Sequence, residues 1–249
     1  MQDKLRIVLV GTSHPGNIGA AARAMKTMGL HRLVLVAPEA FPHREAIAMA
    51  AGADDVLEAA QVCADLDEAL VDCRTVLGCT ARKRGVALPE HHPREAAAHL
   101  LAATALGPVA LLFGRERTGL TNEELHRCHA AIHIPADPEF SSLNLAAAVQ
   151  VMSYELRIAM LAAAPESVAP AAKDDPPATQ GELEGFFTHL DQALVDIDFH
   201  KGRAAVTVMQ RLRRLFLRAE PDQRELRILR GVLTDAQRMA RLAREAGKP

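Results

Sequence analysis

Short apolar runs alternate with longer segments of helical period through the first two-thirds of the chain. Most of the apolar runs are continuous and β-branched, as in strands that are buried on both faces of a sheet. They occupy residues 6–10, 33–36, 75–77, 109–113 and 131–134, and segments with helical spacing occupy residues 17–28, 44–51, 66–73, 94–103 and 143–161. This alternation predicts an α/β fold in which a mostly parallel sheet carries helices on both faces.

The pattern changes after residue 162. Alanine, proline, serine and aspartate dominate residues 162–180, and four prolines interrupt any helical period there: Pro165, Pro170, Pro176 and Pro177. Beyond this stretch, residues 182–194, 204–216 and 223–246 place apolar residues at spacings of three and four, interleaved with arginine. We therefore predict a first domain over residues 1–164, a linker over 165–180 and a small all-helical domain over 181–249.

Charge is distributed unevenly along the chain. The formal net charge of -2 argues against a nucleic-acid partner, but residues 200–249 carry 13 Lys or Arg against 5 Asp or Glu, about +8. A basic segment of this kind favours contact with a polyanion. The alternative is a solvated basic helix surface with no partner.

Composition and cysteine spacing limit the cellular setting. With 249 residues, 49% of them hydrophobic, the chain can bury a large core. The first apolar run is strand-sized and ends in a polar, glycine-containing loop, unlike a secretory signal, so we expect neither export nor a membrane span. The four cysteines form no CxxC pair or zinc-ligand spacing. We expect a cytoplasmic protein without a structural metal.

The first stretch that suggests chemistry, residues 11–29, links a strand to a helix through a glycine-containing loop. Glycines there let the backbone approach a partner, and a helix start offers free N–H groups. Glu39, about twenty residues after Gly19, would suit a dinucleotide-binding fold, but the glycine spacing does not match G-x-G-x-x-G. Arg23 projects from a Gly/Ala-rich helix that a large partner can approach, or it is an ordinary surface arginine.

The second and third stretches also follow predicted strands. Residues 111–125 place Arg115 and Glu116 between two glycines, at a strand end where ligands bind in open α/β sheets, and Thr121-x-x-Glu124 predicts a capping box. A polar surface turn is the alternative. In residues 134–150, Ser141 or Ser142 is expected to cap the next helix, with Asn144 in its first turn. A role limited to capping is the alternative for this stretch.

Together, in this order and spacing, residues 17–23, 113–120 and 142–148 resemble motifs 1, 2 and 3 of the SpoU branch of the SPOUT methyltransferases. The resemblance covers about residues 5–163. The run from Arg211 to Phe216 and the segment that follows it also resemble the C-terminal helical extension of a tRNA-modifying subfamily. The resemblance implies an S-adenosylmethionine-dependent RNA 2'-O-ribose methyltransferase that releases S-adenosylhomocysteine and needs no metal. The implied substrate is cytidine or uridine at position 32 of the tRNA anticodon loop.

The resemblance also implies a trefoil knot around loops 78–84, 113–120 and 134–145, and a homodimer whose RNA contacts come from both subunits. The implied cofactor-binding residues are Cys79, Thr80, Ala81, Gly114, Ile134, Ser141, Ser142 and Leu143. The implied catalytic residues are Arg23, Glu116 and Asn144, with Asn17 supporting Arg23. RNA contacts are expected from Arg23, Arg115, Arg211, Arg213 and Arg214.

Methyl transfer to a ribose hydroxyl requires alignment of the reactants and removal of one proton. Because a guanidinium is rarely neutral near pH 7, we expect Arg23 to act electrostatically on a phosphate and on the developing alkoxide. Glu116 is a second candidate base, although we favour a role in pairing with Arg23 or Arg115. With one Tyr and no Trp, stacking of RNA bases on aromatic side chains is not the first expectation.

Three other functions are compatible with parts of the sequence. A ribosomal RNA 2'-O-methyltransferase of the same family would share all three motifs, and only the basic C-terminal segment argues against it. A non-catalytic RNA-binding protein would not need Arg23, Glu116 and Asn144. A dinucleotide-dependent oxidoreductase would explain the first stretch and neither of the others.

Overall fold

The computed structural model describes residues 2–81, 88–163, 175–201 and 204–246. The chain forms two units, Met1–Pro170 and Ala171–Pro249. The predicted boundary region falls partly at residues 164–174, which lie outside the described residues.

In the part of the chain that the structure describes, seven strands form the sheet of the first unit. They are β1 (Leu5–Val10), β2 (Leu33–Val36), β3 (Gln61–Cys63), β4 (Thr75–Cys79), β5 (Glu90–His91), β6 (Val109–Phe113) and β7 (Ala130–Ile132). Their order across the sheet is β3-β2-β1-β6-β4-β7-β5, and every neighbouring pair is parallel. The predicted parallel sheet is therefore confirmed. The two edge strands, β3 and β5, were not predicted, because they are only three and two residues long and are mostly exposed or half-buried.

Helices cover both faces of this sheet, as predicted. They are α1 (Pro15–Thr27), α2 (Arg44–Ala50), α3 (Asp54–Glu58), α4 (Leu66–Leu70), α5 (Pro93–Ala103), α6 (Asn122–Leu125) and α7 (Leu145–Ala162), and a short 3-10 helix, Gln2–Lys4, precedes β1. Alternate residues of β1 point to opposite faces. Ile7 and Leu9 pack in a core cluster with α1, α5 and α7, whereas Val8 and Val10 pack in a second cluster with α4 and α6.

The position of α1 is fixed at both ends and along its side. Pro15 occupies the start of the helix, where its missing N–H costs nothing, and the chain leaves the helix at Gly29 with a φ of 77°. A Cβ on Gly19 would lie 1.9 Å from the carbonyl oxygen of Ala46, so α1 and α2 approach more closely than any side chain at that position permits.

The helix α7 is long and apolar enough to cross a membrane, with a mean hydropathy of 1.3 over Leu145–Ala162. In this structure it is part of the helical layer of the first unit. Its inward face, formed by Leu145, Val149, Met152 and Leu156, is buried in the core against the sheet and neighbouring helices.

The described residues of the second unit form three helices, α8 (Gln180–Asp196), α9 (Ala205–Ala219) and α10 (Gln223–Ala246), which confirms the predicted helical character of this region. Its core is an apolar cluster that includes Leu183, Phe186, Phe187, Leu217 and Leu226. The end of the predicted linker belongs to this unit, because Ala178 is buried in that core and Thr179 caps α8. The knot implied by the resemblance stays a prediction, and residues 82–84 of its first loop lie outside the described part of the chain.

Candidate functional site

The three stretches singled out in the sequence begin at the carboxyl ends of the parallel strands, on one side of the sheet. Because the strands are parallel, the loops that follow β1, β6 and β7 all leave from their carboxyl ends, and β1 is hydrogen-bonded directly to β6. This side of the sheet is where open α/β sheets bind ligands.

Side chains from all three stretches form one chain of hydrogen bonds, which we call the amide–carboxylate cluster (Asn17, Glu116 and Asn144). The Nδ2 of Asn17 donates to Oε1 of Glu116 at 3.0 Å. The Nδ2 of Asn144 donates to Oδ1 of Asn17 at 3.1 Å. Asn17 is therefore the central member, since its amide bonds one partner with its nitrogen and the other with its oxygen.

Glu116 is also held by the loop after β1. Both the backbone N–H and the hydroxyl of Ser13 donate to its Oε2, at 3.2 and 3.0 Å, and the backbone N–H of His14 donates to its Oε1 at 3.2 Å. Partial burial alone would raise the pKa of Glu116, but hydrogen bonds from Asn17 and from backbone N–H groups outweigh it and lower the pKa to about 2. The carboxylate is therefore ionised throughout the neutral pH range.

The expected pairing of Glu116 with Arg23 or Arg115 is wrong. Arg115 donates instead from Nη1 to the two carboxylate oxygens of Glu124, at 2.9 and 3.1 Å. Its side chain crosses Gly11, where a Cβ would lie 2.7 Å from the Nε of Arg115. Glu124 also forms the predicted capping box with Thr121, which is confirmed. Arg115 thus connects the loop after β6 to the helix α6 that follows it.

Asn144 does not lie in the first turn of α7 as predicted. It is the N-cap residue: its Oδ1 accepts from the backbone N–H groups of Ala146 and Ala147, at 2.8 and 3.4 Å, and the helix begins at Leu145. The prediction that Ser141 or Ser142 caps the helix is therefore wrong. Asparagine is among the preferred N-cap residues, and its free Nδ2 still reaches Asn17.

Arg23 lies apart from the amide–carboxylate cluster. It is exposed on α1, six positions after Asn17, which places it about 120° around the helix and about 9 Å along its axis. Among the described residues it has no hydrogen-bond or ion-pair partner, and the expected contact with Asn17 is absent. Within one chain, the structure therefore does not bring Arg23 to the other predicted catalytic residues.

A hollow of about 720 Å³, open to solvent, adjoins the cluster. Its lining comprises Cys79, Thr80, Ala81, Phe113, Gly114, Arg115, Glu116, Arg117, Thr118, Gly119, Ile134, Ser142, Leu143, Leu145 and Ala148. Seven of the eight predicted cofactor-binding residues are in this set, and Ser141 is not. Glu116 belongs both to this lining and to the cluster, so it connects the two.

Glycine is required where the wall of this hollow folds back on itself. The loop after β6 folds back on itself, with the N–H of Gly119 donating to the carbonyl of Arg115 at 2.8 Å. A Cβ on Gly114 would lie 2.1 Å from the backbone of Gly119, so only glycine fits this fold-back. Burial raises the pKa of the Cys79 thiol to about 12, which keeps it protonated and unreactive at neutral pH.

The three arginines of the second unit that were predicted to bind RNA differ in exposure and in contacts. Arg211 and Arg214 are exposed on α9. Arg213 points into the unit instead: it forms an ion pair with Glu184, and its guanidinium carbon lies 4.3 Å from the ring centre of Phe187. Arg213 therefore stabilises the packing of α9 on α8.

Several features of the site were not predicted. The backbone donors of Ser13 and His14 carry no side-chain signature in a sequence, and Leu145 and Ala148 look like ordinary helix residues. Among the residues that the structure describes, no group of three or more His, Cys, Asp or Glu is arranged to hold a metal ion.

Both parts of the chain match known families. Residues 4–154 match the SpoU rRNA Methylase family, and residues 181–245 match the family described as tRNA methyltransferase TrmJ, C-terminal domain. The tRNA (cytidine/uridine/adenosine-2'-O-)-methyltransferase TrmJ of Pseudomonas aeruginosa (strain UCBPP-PA14) is 52% identical over 248 residues, which cover 97% of this chain and 96% of that protein.

Solved structures show the same similarity. The crystal structure of TrmJ from Z. mobilis ZM4 has a TM-score of 0.80 and 38% identity, covering 92% of this chain and 97% of that one. The SpoU methyltransferase AviRb from Streptomyces viridochromogenes, in complex with the cofactor AdoMet, shares the fold, with a TM-score of 0.53 and 20% identity over 65% of this chain and 62% of its own.

Proposed function

The chain belongs to the SpoU rRNA Methylase family, and from that premise we propose that it transfers a methyl group from S-adenosylmethionine to the ribose 2'-hydroxyl of a tRNA nucleotide. One observation carries the proposal: Glu116 lines an open hollow and, through Asn17, joins the three segments that resemble the methyltransferase motifs. S-adenosylhomocysteine is the product, and the reaction uses no metal.

The C-terminal match supports tRNA over ribosomal RNA as the substrate. Residues 181–245 match a domain that is named for a tRNA methyltransferase, and the relative from Pseudomonas aeruginosa is named for 2'-O-methylation of cytidine, uridine and adenosine in tRNA. We assign cytidine or uridine at position 32 of the anticodon loop as the target. The alternative is a ribosomal RNA target within the same family.

The residues around the hollow fit S-adenosylmethionine. Ile134, Leu143 and Leu145 offer apolar walls for a nucleoside base, and residues 79–81 and Gly114 offer backbone groups for polar atoms. When bound, this cofactor supplies a methyl group on a positively charged sulfonium. The carboxylate of Glu116 lies in this lining beside the guanidinium groups of Arg115 and Arg117.

Glu116 acts as a positioning residue rather than a base. A base that works near pH 7 needs a pKa close to that value, and the hydrogen bonds around Glu116 lower its pKa to about 2. Its carboxylate instead fixes the amide of Asn17, which fixes Asn144. The amide–carboxylate cluster thus presents oriented polar groups to the ribose with little freedom left to lose.

In this proposal Arg23 binds the RNA substrate. Its guanidinium stays charged, so it holds a phosphate next to the target nucleotide and favours the developing alkoxide. An exposed arginine without a partner in the described chain is available for that contact. Loss of one such donor typically costs roughly 3 to 4 kcal/mol in the transition state.

A homodimer accounts for the position of Arg23. The outer face of α7 carries Tyr154, Ile158 and Leu161, at helical spacing and 50%, 40% and 57% exposed, which suits a contact with a second copy. In the proposed dimer, Arg23 of one subunit serves the hollow of the partner. The protein is placed in the cytoplasm with its tRNA substrate, and α7 is an interface helix rather than a membrane span.

The second unit adds affinity for tRNA through phosphate contacts. Arg211 and Arg214 are exposed and without a described partner, so their charges are free for an anion. Such contacts orient the RNA without reading its bases.

Incubation with radiolabelled S-adenosylmethionine and separate pools of tRNA and ribosomal RNA tests the proposal. We expect label in tRNA, recovered as 2'-O-methylated nucleosides after digestion. Label in ribosomal RNA alone would show that ribosomal RNA, and not tRNA, is the substrate. Binding of RNA without methyl transfer to either pool would contradict an enzymatic function.

A further inference from the structure

Phe140 precedes by two residues Ser142, which lines the candidate cofactor hollow. It is 82% exposed, more than any other described large hydrophobic residue, the next being Val206 at 71%. Single exposed apolar residues are common on protein surfaces, so exposure alone means little. Phe140 is distinguished by its aromatic ring, by its closeness in sequence to residues of the site and by the hydrogen-bonded turn that carries it.

The turn that presents Phe140 is hydrogen-bonded and contains a proline. The N–H of Phe140 donates to the carbonyl of Asp137 at 3.1 Å, and the N–H of Glu139 donates to the Asp137 carboxylate at 2.8 Å. Pro138, at the second position, is the residue that such turns favour. The backbone at Phe140 therefore belongs to a hydrogen-bonded turn, and its side chain is exposed in the single chain.

Phe140 is close to the reaction site along the chain. Ser142 and Leu143, two and three residues further on, line the hollow, so the backbone of Phe140 lies within about 7 Å of that of Ser142. Asn144, the next residue after Leu143, belongs to the amide–carboxylate cluster. A ribose whose 2'-hydroxyl reaches this cluster must place its base, or the base of an adjacent nucleotide, near the same loop.

We propose that Phe140 is a stacking platform for a nucleobase of the RNA substrate, at or next to the methylated nucleotide. This inference rests on the proposed function. The turn carries the carboxylates of Asp137 and Glu139 and no cation, so it does not suit a phosphate, whereas a neutral base can lie on an aromatic ring. The low aromatic content of the chain argued against stacking in general, and the structure places one aromatic ring where stacking is useful.

Stacking on Phe140 lets the site hold a base without selecting its identity. Every nucleobase has a π-face, so a stacking contact adds affinity with little preference among bases. Truncation of such a platform typically costs about 1 to 3 kcal/mol per base, which is about a 5- to 150-fold loss of affinity. The loss is expected in KM and in the dissociation constant for RNA, with kcat nearly unchanged, because the contact forms before the chemical step.

The substitution Phe140→Trp tests the proposal directly, because the chain has no tryptophan and the new indole is its sole tryptophan fluorophore. We expect the emission of a solvent-exposed indole in the free protein, no change with S-adenosylmethionine alone, and quenching when a tRNA anticodon stem-loop is added. Emission of a buried indole in the free protein would show that a second copy covers this residue. A response to the cofactor alone would show a lid over the hollow, and no response to RNA would show no stacking. Each of these three results overturns the proposal.

A substitution series separates the aromatic ring from mere bulk. Phe140→Ala and Phe140→Leu are expected to raise KM for the stem-loop, and Phe140→Tyr to restore it, with the same relative loss for stem-loops that carry different bases at the target. Leu106→Ala is the matched control, since Leu106 is 44% exposed and precedes β6, at the opposite edge of the sheet from the site. Equal KM values for Phe140→Ala and the control would contradict stacking. An inactive wild-type protein would contradict the proposed function instead.

Discussion

Asn17 and Asn144, which are 127 positions apart in the chain, are joined side chain to side chain by a hydrogen bond of 3.1 Å. Asn17 lies in the first turn of the helix that carries Arg23, and Asn144 caps the helix whose outer face is apolar. With Glu116 as the third member, this contact couples the starts of α1 and α7 to the loop after β6. Changes to Asn17 should therefore be felt at all three places.

Replacing Asn17 tests this coupling. Asn17→Ala removes both hydrogen bonds, and we expect methyl transfer to slow by about 10- to 100-fold, since hydrogen bonds to charged groups contribute about 1.5 to 3 kcal/mol. Single-turnover rates measure this. Asn17→Asp would place a second carboxylate beside Glu116, so its thermal stability at pH 8 should be lower than that of Asn17→Ala and should approach it as the pH falls. Equal stability of the two variants at pH 8 would contradict this arrangement.

The lowered pKa of Glu116 predicts how stability depends on pH. Because the pKa falls from 4.5 to about 2 in the folded protein, the carboxylate stabilises the fold fully above about pH 5 and loses this effect as the pH falls toward 2. Glu116→Gln should therefore have a lower free energy of unfolding than the wild type at pH 7, with a difference that shrinks below about pH 4.5. Urea denaturation between pH 3 and 8 measures it. A difference that grows with acidity would contradict the assignment.

Much of the fold was predictable because the central strands are continuous apolar runs. β2 and β6 were predicted at their observed bounds, since they are buried on both faces and composition alone marks them. The edge strands β3 and β5 were not, because their short and largely exposed segments look like loops. At the site, the residue types were predictable but some of their contacts were not. Asn144 was predicted in the first turn of α7 and is its N-cap. Glu116 was predicted to pair with an arginine and instead accepts a hydrogen bond from Asn17. The Asn144 error arises because Ser141, Ser142 and Asn144 are all residue types that favour the N-cap, and the Glu116 error arises because its long-range amide and backbone contacts leave no local pattern.

Arg23→Lys separates charge from geometry. Lysine keeps the positive charge but loses the planar fork that can hold a phosphate through two hydrogen bonds. We expect the transfer rate to fall by about 100- to 1000-fold, while calorimetry should show an unchanged affinity for S-adenosylmethionine. The reverse exchange, Lys26→Arg, on the same helix is the control and should leave the rate near that of the wild type. A fully active Arg23→Lys would refute the phosphate contact.

Two neighbouring arginines on α9 should behave differently. Arg214→Gln removes an exposed charge, so the slope of log affinity for tRNA against log salt should fall by about 0.7 to 0.9 while stability is unchanged. Arg213→Gln breaks the ion pair with Glu184 and the contact with Phe187, so the second unit should lose about 1 to 3 kcal/mol of stability with an unchanged salt slope. Titrations at several salt concentrations and thermal melts distinguish the two. The opposite assignment of effects would contradict the structure.

The most direct test of the proposed reaction removes one oxygen atom, that of the 2'-hydroxyl group, from the substrate. Transfer from radiolabelled S-adenosylmethionine is measured on two synthetic tRNAs that are identical except that one carries a 2'-deoxyribose at position 32. We predict stoichiometric labelling of the all-ribose tRNA and none of the deoxy tRNA, with equal affinity of the protein for both. Equal labelling of the two tRNAs would show that the ribose hydroxyl at position 32 is not the acceptor and would contradict the central claim.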